Sequence, residues 1–132
     1  MTAAALAVMA TGLVASPALA AKERLTGEAK LAKLLEGREA GKPVSCISSW
    51  QARETRVIDG TAIVYRVGGT LYVNRPTNAD MLDDDDILVT RQHIGQLCRP
   101  DTVQLHDRTS FFYSGFVGLQ DFVPYRKVAS AN

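Results

Sequence analysis

Between Glu54 and Asn74 the chain alternates β-branched runs with two glycine-bearing dipeptides, and that pattern leaves little choice of fold. Thr55-Arg56-Val57-Ile58 leads into Asp59-Gly60. The run from Thr61 to Val67 leads into Gly68-Gly69, and Thr70-Leu71-Tyr72-Val73-Asn74 follows. Such dipeptides between β-branched runs predict hairpins with two-residue loops. A type I′ turn needs φ > 0 at both central residues, and glycine meets that need without steric cost. Arg75-Pro76 then closes a three-stranded antiparallel meander.

Two-residue loops set the register, and the register sets the faces. The first turn is expected to pair Val57 with Ala62 and Thr55 with Val64, and the second Val64 with Val73 and Arg66 with Leu71. One face then carries Thr55, Val57, Ala62, Val64, Leu71 and Val73, an apolar set suited to a core. The other carries Arg56, Tyr65, Tyr72 and Asn74 beside Glu54 and Ile63. This second face mixes aromatic, cationic and amide groups and is the candidate binding face. The alternative is a solvated outer face with ordinary cross-strand tyrosine pairing.

Around the meander the reading is coarser. Leu31, Leu34 and Leu35 recur at helical spacing, so a helix is expected over Lys22 to Glu39, capped by Thr26 and ended by Gly41-Lys42-Pro43. Ile87 to Thr90 and Thr102 to Asp107 read as strands, the latter with Val103 and Leu105 inward and His106 outward. Gly115 to Leu119 reads as a further strand. Phe122-Val123-Pro124-Tyr125 reads as an edge segment, because Pro124 cannot donate to a ladder. The expected fold is mainly β: a signal helix and one short helix, then six to seven strands in a curled antiparallel sheet or small barrel.

Met1 to Ala20 carries no charged side chain, is rich in Ala, Leu and Val, and ends Ser16-Pro17-Ala18-Leu19-Ala20. Small residues at Ala18 and Ala20 suit cleavage by a signal peptidase, although no Lys or Arg stands before the apolar run. An N-terminal membrane anchor is the alternative; a lipid anchor would need Cys where Ala21 stands. The expected organisation is a signal peptide over 1–20, a helix and linker over 21–43, a β domain over 44–127 and a tail over 128–132. The location is then periplasmic or secreted, with no stable membrane insertion after cleavage. The net charge of +1, with arginines scattered, gives no patch for nucleic acid.

Export favours oxidation, so Cys46 and Cys98 are expected to be bridged; two separate buried thiols, or a catalytic thiol, are the alternatives. Asp83-Asp84-Asp85-Asp86 lacks the alternate spacing of a calcium loop and reads as a solvated turn. His93 and His106 stand in no zinc motif, and His106 and Asp107 point to opposite faces of one strand. No nucleophile elbow, dinucleotide fingerprint or P-loop occurs, and Ser45, Ser48 and Ser49 have no base placed by spacing. No catalytic residue, metal site or cofactor is therefore assigned.

Gly41-Lys42-Pro43-Val44-Ser45-Cys46-Ile47, Arg56 to Thr61, Leu71-Tyr72-Val73-Asn74-Arg75-Pro76, Leu97-Cys98-Arg99 and Phe122-Val123-Pro124-Tyr125 resemble segments of small exported proteins of Gram-negative bacteria with no assigned function. The resemblance spans most of the chain after Ala20. It implies an envelope location and paired cysteines, and brings no activity. The function expected is a non-enzymatic envelope module that binds a small ligand or another envelope protein through Arg56, Tyr65, Tyr72 and Asn74. The alternative is a small periplasmic hydrolase-like enzyme whose groups meet only in space.

Overall fold

A computed structural model of the chain describes residues 26–92 and 94–129, with position 12 standing alone. Apart from that position, the expected signal segment and the first residues of the expected helix lie outside the described residues, as does His93. Helix α1 spans Gly27–Leu34, and the Thr26 side-chain oxygen accepts the Ala29 N–H at 3.2 Å, the expected N-cap. It stops earlier than Glu39. Gly37 turns left-handed at φ 72°, and the chain then enters strand β1 (Arg38–Ala40), placed in the helix by sequence.

Nine more strands follow: β2 (Cys46–Ser48), β3 (Ala52–Ile58), β4 (Ala62–Val67), β5 (Thr70–Asn74), β6 (Asp86–Thr90), β7 (Gln96–Cys98), β8 (Thr102–Asp107), β9 (Tyr113–Gly118) and β10 (Phe122–Lys127). They form three antiparallel sheets in the orders β1-β10-β5-β4-β3, β2-β7 and β6-β8-β9. The fold is mainly β, as expected, but among the described residues no sheet closes into a barrel. The strands beyond the expected six to seven are β1, β2 and β7, each three residues long and too short to show a period.

Strand β10 is not an edge. It lies between β1 and β5, with Pro124 opposite Tyr72. Phe122 exchanges both backbone hydrogen bonds with Val44 at 2.8 Å, and the Pro124 carbonyl accepts from the Gly41 N–H at 2.7 Å. Peptide groups of alternate residues share a side, so the missing Pro124 donor would face the bend at Lys42-Pro43, where no strand partner is required.

The five-stranded sheet separates two apolar cores. On one face Leu31, with Leu34 and Leu35 beside it, packs on Ile58, Ala62, Val64, Leu71 and Val73. On the other, Ile63, Tyr65 and Phe122 meet Leu97 of β7, Val103 and Leu105 of β8 and Val117 of β9. The disulfide joins Cys46 to Cys98, direct register partners across β2 and β7. No helix among the described residues is long and apolar enough to cross a membrane.

Candidate functional site

The second hairpin forms as expected. Val67 faces Thr70 across a two-residue loop, with Gly68 left-handed at φ 59°. The first does not. Ile58 pairs with Ala62, so Thr61 joins Asp59 and Gly60 in a three-residue loop. Thr61 donates its N–H to the Ile58 carbonyl at 3.0 Å and its hydroxyl to the Asp59 carbonyl at 2.7 Å, and Gly60 donates to Leu82 at 2.9 Å. One added loop residue exchanges the two faces of β3 relative to the rest of the meander.

The candidate binding face is thereby divided. Arg56 now lies on the helix side, where Glu54 bridges it to Arg66 at 3.1 and 3.2 Å. Tyr65, Tyr72 and Asn74 lie on the opposite side, against the second core. Tyr65 is 3% exposed and packs edge-on to Phe122; Asn74 is fully buried. These four residues do not form a surface.

What the second core leaves open is a cleft of about 500 Å³ between the five-stranded sheet and β6. Thr55 and Val57 of β3 form one rim, and Leu88 and Thr90 of β6 form the other. Tyr65 and Leu97 line its interior, with Ser49, which follows β2 of the disulfide-linked two-stranded sheet. One end is closed where the Gly60 N–H meets the Leu82 carbonyl and the Asp84 N–H meets Asp59 Oδ1 at 2.6 Å. Beyond that corner no backbone hydrogen bond joins β3 to β6 among the described residues.

Ser49 and Tyr65 bring polar groups to the lining. Ser49 Oγ is buried and has no hydrogen-bond partner among the described residues. Burial raises the Tyr65 phenol far above the usual tyrosine range, so it stays a neutral O–H donor. Buried polar atoms are ordinarily satisfied, and an unpaired one costs about 1–3 kcal/mol. Near the closed end, burial first and the Asp83 carboxylate second raise the Asp86 carboxyl. Arg108 lines the cleft too, 3.6 Å from Asp85.

The backbone of both rims is open as well. The closing pair of a two-residue hairpin is hydrogen-bonded, so peptide groups of Ile63, Tyr65 and Val67 turn to β5 and those of Val64 and Arg66 to β3. In β3, Glu54 and Arg56 answer them, which leaves the N–H and C=O of Thr55 and Val57 directed at the cleft. On the other rim, Asp107 exchanges backbone bonds with Phe111 and Phe112 at 2.8 and 2.9 Å, so alternate residues of β8, His106 and Gln104, turn to Ile87 and Val89. The peptide groups of Leu88 and Thr90 therefore also point outward from the sheet, into the cleft.

Other expected chemistry lies elsewhere. The carboxylates of Asp59, Asp83 and Asp84 come within 4.8 Å of one another, all exposed. Asp59 and Asp83 spend oxygens on the N–H groups of Asp84 and Asp85, at 2.6 and 2.9 Å, as turn-forming aspartates do. His106 sits on the outer face of the β6-β8-β9 sheet, 3.3 Å from the Phe111 carbonyl and edge-on to Tyr113, away from the cleft. Both cysteine sulfurs are held in the disulfide.

Sequence reasoning missed the cleft residues Ser49, Thr55, Val57, Leu88 and Thr90 as a set. Their period-two alternation is legible, but an open strand edge depends on sheet order, which no local signal carries. No family model, curated protein or solved structure matches the chain.

Proposed function

We propose that this chain is an exported envelope module that binds its ligand in the cleft between β3 and β6. The observation that carries this reading is a single space of about 500 Å³ in which the apolar walls of Val57, Leu88 and Leu97 meet the Tyr65 ring and the polar side chains of Thr55 and Thr90. The cleft has the size of a specific ligand site, and its lining sets apolar Val57, Leu88 and Leu97 beside polar Thr55, Thr90, Asp86 and Arg108. The disulfide supports the exported location, because such bridges persist in oxidising compartments.

Two measurements test it. A ¹⁵N-labelled sample titrated with neutral amide- and alcohol-bearing fragments is expected to shift the amides of Ser49, Thr55, Val57 and Thr90 together. Shifts confined to the exposed Phe111-Phe112 hairpin tip would move the site elsewhere. Fractionation of bacteria producing the chain is expected to place a form that begins at Ala21 in the periplasm, and recovery from the cytoplasm alone with Met1 retained would refute the exported location.

A further inference from the structure

We propose that the occupant of this cleft is an extended peptide segment that lies between β3 and β6 as an added strand. The proposal rests on the cleft being the binding site and names its ligand class. Its basis is the coincidence of two open edges on one space. Thr55 and Val57 on one rim, and Leu88 and Thr90 on the other, direct peptide N–H and C=O groups into it, and among the described residues none has a hydrogen-bond partner.

An unpaired strand edge is a template for another strand, and natural proteins usually blunt such edges with proline, charge or a covering element. Here the two central positions of each rim carry Thr, Val, Leu and Thr, with no charge and no proline. β3 ends and β6 begins beside the corner held by Gly60–Leu82 and Asp59–Asp84, so the rims run in opposite directions and a strand laid between them is antiparallel to one and parallel to the other. Main-chain bonds to both rims supply affinity that is nearly independent of sequence, and pockets for alternate side chains supply specificity. On the interior side Tyr65 and Leu97 accept a short apolar or hydroxyl-bearing side chain. At the closed end Asp84 and Asp86, neither in a salt bridge among the described residues, favour a Lys or Arg.

The test uses proline as a backbone probe. Thr55 and Thr90 turn their N–H groups into the cleft, so Thr55→Pro and Thr90→Pro each delete one rim donor without touching the ladders to β4 and β8. Thr55→Val and Thr90→Val keep the donors and serve as controls. Panning a random heptapeptide library on the intact protein is expected to enrich alternating sequences containing Lys or Arg. A synthetic selected peptide is expected to protect the Thr55, Val57, Leu88 and Thr90 amides from hydrogen exchange. Its binding should fall about tenfold for each proline variant and for N-methylation of one peptide amide, and fall less for the valine variants, which keep the rim donors.

Peptide binding retained by either proline variant, while its near-ultraviolet circular dichroism and melting temperature match the parent, overturns the added strand. If no peptide is enriched but fragments still shift the cleft amides, the cleft is a small-molecule site and this inference alone fails. If neither binds there, both readings fail. Concentration-dependent dimers abolished by Thr55→Pro would make a second copy the occupant and also overturn the proposal.

Discussion

Asn74 and Gln120 are joined through both ends of one side-chain amide: Asn74 Nδ2 donates to the Gln120 carbonyl at 2.6 Å, and Asn74 Oδ1 accepts the Gln120 N–H at 3.0 Å. The buried amide does for Gln120 what a neighbouring strand would do, and it seats the turn between β9 and β10 against β5. A residue expected on a binding face is a fastener of the core. Asn74→Leu leaves both backbone groups of Gln120 unpaired and should cost about 2–4 kcal/mol. Asn74→Asp keeps the acceptor but loses the donor and buries a charge, so it should be at least as harmful at neutral pH. Urea unfolding curves for the two variants check this, and an unmoved midpoint for Asn74→Leu would remove the assigned role.

Gly27 opens α1 where the helix meets the first hairpin loop. A Cβ there would lie 1.8 Å from Thr61 Oγ1 and 2.6 Å from the Asp59 carbonyl. The second contact is backbone and cannot swing aside. Gly27→Ala, normally favourable in a helix, should instead destabilise by about 1–3 kcal/mol. Thermal melts decide the sign, and a gain in stability would mean that the helix does not seat on this loop.

The disulfide spans 52 positions and joins a two-stranded sheet that would be marginal alone. Replacing Cys46 and Cys98 together by alanine should cost about 4 kcal/mol in the chain-entropy account, with loosening concentrated in β2 and β7. Hydrogen exchange at Ile47 and Leu97, compared with Val103, measures this. Uniform loss across all three would point to a global effect instead.

Asp86 has a raised folded-state pKa, caused first by burial and then by Asp83. The charged form is therefore disfavoured in the folded protein. Its neutral form supports folding below the ordinary carboxylate pKa, and that support is lost as pH rises through the raised folded value. Asp86→Asn should stabilise at pH 7 by less than about 1 kcal/mol, with the gain vanishing toward pH 3. Melting temperatures of parent and variant across that range test it, and a gain that grows on acidification would have the wrong sign.

Much of the architecture is legible in the chain. The Thr26 cap, the leucine stripe of α1, the Gly68-Gly69 turn and the inward Val103 and Leu105 are local patterns, and local patterns survive folding. The cysteine pair is legible once export is assumed. The site is not. Tyr65, Tyr72 and Asn74 share one face as the sequence indicates, but no local signal shows that β7, β8 and β9 cover it; the three-residue loop at Asp59-Gly60-Thr61 shifts only β3 and takes Arg56 to the helix side. The same shift turned Thr55 and Val57 toward the second core and the cleft.

Sequence by itself determined that the chain is mainly β, where its meander lies and which residues are apolar on alternate sides. It did so because strand period, turn glycines and helix caps act over a few residues. Tertiary structure alone decided the register of the first hairpin. The choice between a two- and a three-residue loop at Asp59-Gly60 is set by partners distant in sequence: Leu82 accepting the Gly60 N–H, and Gly27 packed on Thr61. It also decided that β3 and β6 end up as edges on one cleft with no strand between them among the described residues. Side chains report which face of a strand is buried, but a peptide group's partner is chosen by whatever the rest of the chain brings beside it.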